Sequence, residues 1–213
     1  MKKLIFQINV PNYIKTESIY TTYSYHQEMY NISERNARRY AKKTSSDYYK
    51  LTDPADFKLA EGKHLDYQKL KAYDFIDYDR IIYFDSDYII KDNAPDLFEI
   101  CGNQFHAVPD QGKIVENSAK SINIPKDRYF NAGFMYLTKN ILDKTRDALP
   151  EYLKTEYAFQ GQCLLNKLFF DFKIDYTSLN FKDWNPVKQT WGTYSDHYSG
   201  KKKERWGIVD YGN

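Results

Sequence analysis

The chain has 213 residues and a hydrophobic content of 42%, enough for one sizeable core, so we expect one domain over residues 1–213, alone or within a longer polypeptide. The 31 basic and 29 acidic residues give a net charge of +2, which argues against a dedicated nucleic-acid-binding protein. Only 9 glycines and 7 prolines are present, which excludes disordered and collagen-like chains.

The first part of the chain alternates strand and helix patterns. Leu4–Val10 predicts a buried strand that ends before Pro11, and the stretch SSDYYKLTD predicts a second strand. Between them, Ser33 is a suitable N-cap for an exposed basic helix with the sequence SERNARRYAKKT. The spacing from Leu65 to Ile76 is helical. The predicted inner face of that helix consists of Leu65, Leu70, Tyr73 and Ile76.

The remaining elements continue the alternation. The run RIIYFDSDYII is the strongest strand pattern, and a short helix is expected over Asn93–Ile100. QFHAVPD and RYFNAGFMYLTKN predict strands, and ILDKTRDALPEYLKT predicts a helix that Pro150 interrupts. FQGQCLLNKLFFDF predicts a further helix and KIDYTSLNF a late strand. This alternation predicts an α/β fold.

The N-terminus and the cysteines bear on the compartment. MKKLIFQINV begins like a signal peptide, but Gln7 and Asn9 interrupt its apolar stretch, and no later stretch is long enough to span a membrane. Cys101 and Cys163 lie far apart without metal-ligand spacing, which indicates a reducing compartment. We therefore expect a cytoplasmic protein without membrane insertion. The 21 tyrosines suit a site for a sugar or a base, although an A/T-rich coding genome explains them equally.

An acidic pair, Asp85 and Asp87, separates the apolar runs IIYF and YII. On a strand buried on both faces, the two carboxylates would point to the same side and would repel each other unless a cation lay between them. Oxygen ligands favour Mg²⁺ or Mn²⁺, so the pair predicts a divalent metal site at the carboxyl end of a central strand. The alternative is a solvated turn between two short strands.

A second enzyme class fits the same residues. Haloacid-dehalogenase-type phosphatases also place Asp-x-Asp after a hydrophobic strand, which would make Asp85 a nucleophile and Asp87 an acid/base. Those enzymes usually carry the motif on the first strand and need a later acidic pair for magnesium. Here the motif begins at residue 85 and no convincing acidic pair follows it, so this reading ranks second.

Five motifs occur in the order found in GT-A glycosyltransferases. They are YQKLKAYDFIDYDRIIYFDSDYII, RYFNAGFMYL, FQGQCLLN, DWNP and DHYSGKKKERW. The chain resembles the glycogenin-like group of that class, which includes galactosyl- and glucosyltransferases and the compact domain of chlorella viruses. The resemblance covers Leu65 to Trp206, and five motifs in order make it specific. Gly161 and Cys163 depart from the group, which has acids at both positions of an Asp-Gln-Asp pattern.

The resemblance implies a Rossmann-like, nucleotide-binding GT-A fold with a mixed, mostly parallel sheet flanked by helices. It also implies transfer of a sugar from a UDP-sugar to a hydroxyl group of a glycan or glycoprotein, with retention of configuration. Glucose, galactose and a deoxyhexose such as rhamnose all fit as the sugar, and a viral origin follows from the resemblance alone. Because the acids at Gly161 and Cys163 are missing, a non-catalytic sugar-nucleotide-binding module stays open as an alternative.

The resemblance also implies a set of site residues. The implied ligands of Mn²⁺ or Mg²⁺ are Asp85, Asp87 and His197. The implied catalytic or sugar-contacting residues are Gln162, Asp110 and Asn131. The implied donor-binding residues are Asn9, Val10, Tyr13, Lys69, Asp85, Ser86, Asp87, Gly133, Gly200 and Lys203. The acceptor-side candidates are Trp184 and Asn185, with an ordinary core tryptophan as the alternative for Trp184.

Overall fold

A six-stranded mixed sheet forms the centre of the computed structural model, which describes residues 1–9, 23–53, 63, 65–110, 113–184 and 193–197. Its strands are β1 (Lys3–Ile8), β2 (Asp47–Leu51), β3 (Arg80–Phe84), β5 (His106–Pro109), β6 (Phe130–Thr138) and β7 (Thr177–Ser178). A second, two-stranded sheet pairs β4 (Tyr88–Ile90) antiparallel with β8 (Ser195–His197). Both sheets border the acidic pair, because residues 85–87 connect β3 to β4.

The order of the central sheet is β2-β1-β3-β6-β5-β7. β1 pairs in parallel with β2 and β3, β5 pairs in parallel with β7, and β6 runs antiparallel to both of its neighbours. The predicted mixed, mostly parallel sheet is confirmed. Because Phe84 at the end of β3 pairs with Phe134 of β6, the residues that begin β6 lie beside the residues that follow β3. This register places Asn131 and Gly133 next to the acidic pair.

Successive residues of the central strands pack into two separate apolar clusters, one on each face of the sheet. Ile81 and Tyr83 belong to one cluster, whereas Ile82 and Phe84 belong to the other. Helices α1 (Tyr23–Lys43) and α2 (Leu97–Ile100) contribute to the cluster that contains Ile82. The cluster that contains Ile81 is covered by α4 (Lys139–Arg146), α5 (Leu149–Tyr152), α6 (Gln160–Asp171) and the 3-10 helix Leu65–Asp74, called the 65–74 helix below.

The other described helices are α3 (Lys113–Ser121), α7 (Phe181–Trp184) and a 3-10 turn at Lys126–Arg128. The predicted interruption near Pro150 is confirmed, since α4 ends at Arg146 and Pro150 lies in the first turn of α5, where its missing N–H leaves no helical bond unmade. Cys101 and Cys163 are buried free thiols. Within the described ranges, every helix is too short or too polar to traverse a lipid bilayer.

The prediction of Ser33 as an N-cap is wrong. Ser33 lies in the middle of α1 and is buried, and its hydroxyl accepts a hydrogen bond from Gln7 Nε2 at 2.9 Å and donates to the carbonyl of Tyr88. The helix begins at Tyr23, ten residues before Ser33. The hydroxyl of Ser33 joins the helix to β1 and β4. A serine in front of a basic run resembles a cap in sequence, but its partners here come from distant strands.

The 65–74 helix agrees only in part with its predicted inner face. Leu70 and Tyr73 are buried as expected, but the helix ends at Asp74 and Ile76 is 43% exposed. The side chain of Leu65 lies outside the described residues. Tyr67, which the helical spacing did not select, is buried. A 3-10 helix has three residues per turn, so its buried face follows a different spacing from that of an α-helix.

Candidate active site

The residues Asp85, Ser86 and Asp87 form a turn between β3 and β4, which the amide of Tyr88 closes by donating to the carbonyl of Asp85 at 3.0 Å. The premise that the two carboxylates lie on one face of a strand is therefore wrong. The alternative of a solvated turn is also incomplete, because Asp87 is only 9% exposed and the side chain of Asp85 is 36% exposed. Residues 85–87, called the acidic turn below, thus form a partly buried turn at the carboxyl end of a central strand.

Gly133 allows β6 to approach this turn closely. The Asp85 amide donates to the carbonyl of Gly133 at 2.8 Å, and the Gly133 amide donates to Asn131 Oδ1 at 2.8 Å. A β-carbon at Gly133 would lie 2.7 Å from Asp85 Oδ2 and 2.8 Å from Asn131 Oδ1. The pairing of β5 with β6 shifts register at this point, as in a β-bulge. Asn131 and Gly133 thus shape the wall of the acidic turn.

Lys69, on the 65–74 helix, lies between carboxylates. Its side chain is 2% exposed, and its Nζ lies 2.6 Å from Asp66 Oδ1 and 3.9 Å from Asp85 Oδ1. Burial by itself lowers the pKa of Lys69, but the charges of Asp66 and Asp85 outweigh it, so the pKa of Lys69 is raised above its usual value. The lysine stays charged and connects the helix to the acidic turn.

The acidic turn carries more negative charge than its own lysine compensates. Burial raises the pKa of Asp85; Lys69 lowers it, the carboxylates of Asp87 and Asp66 raise it further, and the net shift is upward. The hydroxyl of Tyr83 also donates to Asp85 Oδ1. A bound cation would relieve this repulsion, and carboxylate oxygens are the ligands that Mg²⁺ and Mn²⁺ prefer. The donor set at Asp85 and Asp87 therefore fits a divalent cation.

The predicted third ligand, His197, is brought near by the small sheet. β8 pairs with β4 so that the main chain of His197 lies opposite Tyr88, the residue after Asp87. The side chain of His197 lies outside the described residues. In the part of the chain that the structure describes, no group of three or more His, Cys, Asp or Glu side chains is arranged to hold a metal ion.

Gln162, in the first turn of α6, ties together three elements. Its Nε2 donates to Asp110 Oδ2 at 2.8 Å and to the Tyr129 hydroxyl at 3.2 Å, and its Oε1 accepts from the Ala132 amide at 3.0 Å. Because a backbone amide can only donate, the orientation of the Gln162 side chain is determined by Ala132. The side-chain amide of Gln162 therefore already uses both donors and its acceptor within the protein.

The three residues predicted to contact the sugar lie together. Asp110 directly follows β5, Asn131 is the second residue of β6, and Gln162 bonds both Asp110 and the residue after Asn131. Since Asn131 Oδ1 bonds the Gly133 amide and Gly133 contacts Asp85, this group adjoins the acidic turn. The catalytic roles of Asp110, Asn131 and Gln162 stay predictions.

Asp66 is a residue of this site that the sequence analysis missed. Its Oδ2 accepts a hydrogen bond from the main-chain amide of Gln162 at 3.0 Å, while its Oδ1 forms an ion pair with Lys69. The spacing of Asp66 and Lys69, three residues apart on a helix, is visible in the sequence. The contact with Gln162 depends on the packing of α6 against the 65–74 helix and has no sequence pattern.

Asn9 follows β1 at the same end of the sheet as the acidic turn follows β3. It is 5% exposed, and its amide donates to the carbonyl of Leu51 at 2.8 Å. Its side-chain Oδ1 is buried and has no hydrogen-bond partner among the described residues. An unpaired buried oxygen is costly, so this atom is suited to accept a hydrogen bond from a ligand.

One predicted acceptor-side residue, Trp184, lies in the core, and several other predicted residues lie outside the described part of the chain. Trp184 is 3% exposed, and its ring packs at centroid distances of 5.4 Å from Phe134 and 5.3 Å from Tyr194, so it belongs to the core and not to an open acceptor site. The remaining predicted residues outside the described part of the chain are Val10, Tyr13, Asn185, Gly200 and Lys203.

Comparison with known proteins gives a family and a fold. Residues 5–209 match the profile of the family described as "Glycosyl transferase family 8". The fold is similar to that of a glycosyltransferase involved in the glycosylation of the major capsid of PBCV-1, with a TM-score of 0.59 and 13% identity over 96% of this chain and 98% of that chain. An active-site mutant of LgtC gives a TM-score of 0.54 and 16% identity over 92% of this chain and 87% of that chain.

Two galactinol synthases of Arabidopsis thaliana also match in sequence. Galactinol synthase 2 is 39% identical over 129 residues and galactinol synthase 6 is 28% identical over 127 residues. Each match covers 50% of this chain and 38% of the plant protein, so the chain matches well under half of the length of these relatives.

Proposed function

The chain belongs to glycosyl transferase family 8 and is a glycosyltransferase with the GT-A fold, and on that premise we propose that it transfers a sugar from a UDP-sugar to a hydroxyl group of a glycan or glycoprotein with the help of Mn²⁺ or Mg²⁺. Glycosyltransferases of this family generally use a nucleotide-sugar donor and a divalent metal. The observation that carries the proposal is the acidic turn, where Asp85 and Asp87 lie partly buried at the end of β3 and a buried lysine, Lys69, lies 3.9 Å from Asp85 Oδ1. Family membership sets the phosphatase reading aside.

The proposed ligands of the cation are Asp85, Asp87 and His197. Bound there, the cation would supply positive charge to the diphosphate that leaves the sugar. Lys69 holds Asp85 from the side of the 65–74 helix, and Gly133 leaves the space that the Asp85 carboxylate occupies. Ser86 lies between the two acids, and Gly200 and Lys203 are proposed to approach the diphosphate from the C-terminal segment.

Asn9 is proposed to bind the uracil base, together with Val10 and Tyr13. The buried Oδ1 of Asn9, without a partner among the described residues, would accept a hydrogen bond from the imide N–H of uracil. Both β1 and β3 end at the same edge of the sheet, because they pair in parallel with Lys3 opposite Arg80. Base and diphosphate would thus lie along one edge of the sheet, the usual place for ligands of open α/β sheets.

The donor sugar is proposed to lie among Asp110, Asn131 and Gln162. This group is next to the acidic turn, because Asn131 bonds Gly133 and Gly133 contacts Asp85. We propose that Gln162 positions Asp110 and the start of β6, since its amide already bonds Asp110, Tyr129 and Ala132. An amide is a poor nucleophile, so retention would arise from attack on the same face of the sugar, guided by the leaving phosphate. Asp110 is our candidate for a base that activates the acceptor hydroxyl.

The test is a panel of UDP-sugars incubated with the protein and a glycan or glycoprotein extract, with Mn²⁺, with Mg²⁺ or with a chelator, while free UDP is measured. The proposal predicts that at least one of UDP-glucose, UDP-galactose and UDP-rhamnose releases UDP, and that the chelator stops the release. Absence of UDP release from every donor would contradict it. Binding of UDP-sugar without any turnover would favour the non-catalytic module, and release that survives the chelator would contradict the metal requirement.

A further inference from the structure

The carboxylate of Asp66 is held in one orientation by contacts to both of its oxygens. Its Oδ1 lies 2.6 Å from Lys69 Nζ, and its Oδ2 accepts the Gln162 amide at 3.0 Å. The two partners belong to different elements, the 65–74 helix and α6, so the carboxylate joins them. The side chain is still 26% exposed, and each carboxylate oxygen can accept more than one hydrogen bond. A ligand therefore has access to a preoriented, charged acceptor.

Gly161 provides the space in which Asp66 lies. A β-carbon at Gly161 would be 2.4 Å from the Asp66 carbonyl oxygen and 3.1 Å from Asp66 Oδ2. A side chain at this position would collide with the main chain of Asp66, so the two helices approach this closely only because residue 161 is glycine. Position 161 is also one of the two positions at which this chain departs from the Asp-Gln-Asp pattern of the group that it resembles. The carboxylate that the sequence lacks next to Gln162 is thus present in space, contributed by Asp66.

Asp66 lies between the two halves of the candidate active site. Through Lys69 it shares an ammonium group with Asp85 of the acidic turn, and through Gln162 it is linked to Asp110. The acidic turn is assigned to the diphosphate and Asp110 to the sugar, so Asp66 lies near the place where the two are joined. Sugar hydroxyls are hydrogen-bond donors, and a carboxylate accepts them more strongly than a neutral oxygen does.

We propose that Asp66 accepts a hydrogen bond from a hydroxyl of the donor sugar and thereby selects which sugar is bound; this inference rests on the proposed function. The same carboxylate also caps the first turn of α6, where amides lack helical partners. A capping role alone would affect the protein equally with UDP or UDP-sugar bound. A contact with the sugar affects only the UDP-sugar, and that difference separates the two roles.

The first experiment titrates UDP and UDP-glucose, or UDP-galactose where it binds more tightly, into the Mn²⁺-loaded full chain. In Asp66→Asn, an oxygen can still accept the Gln162 amide, but the charged acceptor is lost. We expect the UDP-sugar to bind about tenfold more weakly, as for one charge-assisted hydrogen bond, and UDP to change less than about twofold. Equal weakening of both ligands, or no change for the UDP-sugar, would overturn the proposal.

Asp74→Asn is the matched control, because Asp74 forms an ion pair with Lys71 at 2.9 Å on the same helix and with the same spacing, and its side chain is 49% exposed. We expect this variant to bind both ligands as the wild type does. If Asp66→Asn does not fold, Asp66→Glu, which keeps a negative charge beside Lys69 but displaces the carboxylate by one methylene group, is read in the same way. A wild type that neither binds UDP-sugars nor releases UDP from them would instead overturn the proposed function.

The second experiment uses UDP-sugars that each lack one hydroxyl. One of these donors should bind the wild type about tenfold more weakly than the complete UDP-sugar, but should bind Asp66→Asn no more weakly than the complete one. The position of that hydroxyl identifies the group that Asp66 contacts. If every deoxy donor loses the same factor in both proteins, the carboxylate does not contact the sugar and the proposal is wrong.

Discussion

A β-carbon at Gly133 would lie 2.7 Å from the carboxylate oxygen Oδ2 of Asp85, so the Asp85 carboxylate can occupy its position only because residue 133 is glycine. The same close approach includes the hydrogen bond from the Asp85 amide to the Gly133 carbonyl at 2.8 Å. The wall of the proposed metal site is therefore main chain, which cannot move aside as a flexible side chain could.

Replacing Gly133 with alanine should displace Asp85 or bend the start of β6. We expect the UDP-release rate to fall at least about tenfold. Stability should change by less than about 1 kcal/mol, because the atoms that a methyl group would meet are the ends of the Asp85 and Asn131 side chains, which can rotate away. Gly102→Ala is the control, because Gly102 has a φ of +61° but open space around it. It should lose stability through backbone strain and retain activity. Full activity in Gly133→Ala would contradict the close-approach argument.

Lys69→Met should lower both stability and activity, because it leaves Asp66 and Asp85 close together without their shared cation. The lysine is buried but both carboxylates are partly exposed, so we expect a loss of no more than about 3 kcal/mol, measured by denaturant unfolding. The loss should shrink at acidic pH as Asp85, whose pKa is raised, becomes protonated. Lys71→Met removes the ion-pair partner of Asp74, whose own carboxylate is 49% exposed, and should change little. Equal effects of the two substitutions would contradict the special role of Lys69.

Asp85→Asn should raise the melting temperature of the metal-free protein while it removes activity. The pKa of Asp85 is raised in the folded state, so its ionisation costs stability as the pH rises from the unfolded pKa to the folded one. A neutral asparagine removes that cost, and each kcal/mol gained corresponds to about 2–4 °C for a protein of this size. Mn²⁺ should raise the melting temperature of the wild type but not of the variant. A variant that melts lower than the metal-free wild type would contradict this account of the site.

The buried His106 should make the protein less stable in mild acid, and this effect does not involve the proposed metal site. Burial lowers its pKa; its Nε2 lies 3.0 Å from the carbonyl of Cys101, and its Nδ1 is buried without a partner among the described residues. The unfolded chain therefore binds the proton more readily, and stability falls as the pH drops below about 6.5, the usual histidine pKa. Melting curves between about pH 7.5 and 5.5, with chelator present, should show a shallower slope for His106→Gln. An unchanged slope would contradict the assignment.

Much of the fold could be predicted from the sequence, because the central strands are apolar runs bounded by polar residues. β3, β5 and β6 were all expected, as was α6. The break between β3 and β4 agrees with the alternative of a turn between two short strands and not with the preferred prediction, since the apolar residues on both sides of Asp85 suggest one continuous strand. The turn forms because Tyr88 bonds back to Asp85 and β4 pairs with β8, which is more than a hundred residues away.

The site divides in a similar way. The resemblance selected Asp110, Asn131 and Gln162, and the structure brings them together beside the acidic turn. Asp66 was missed because its significance comes from Gly161 and Gln162, which lie on another helix. In the sequence, Gly161 shows only that an acid is absent at this position. In the structure, the carboxylate of Asp66 lies in the space that the glycine leaves. Contacts between elements carry this information, and a pattern within one segment cannot show them.

The most direct test of the proposed reaction compares Asp87→Asn with Asp92→Asn in the UDP-release assay with Mn²⁺. Asp87 is 9% exposed and lies in the acidic turn, whereas Asp92 is an exposed residue that pairs with Arg39 at 2.6 Å. Asp87→Asn should keep its fold but lose UDP release at least about a hundredfold, as expected when a metal ligand is removed, and Asp92→Asn should behave as the wild type does. Full UDP release by a folded Asp87→Asn would contradict a metal-dependent reaction at the acidic turn.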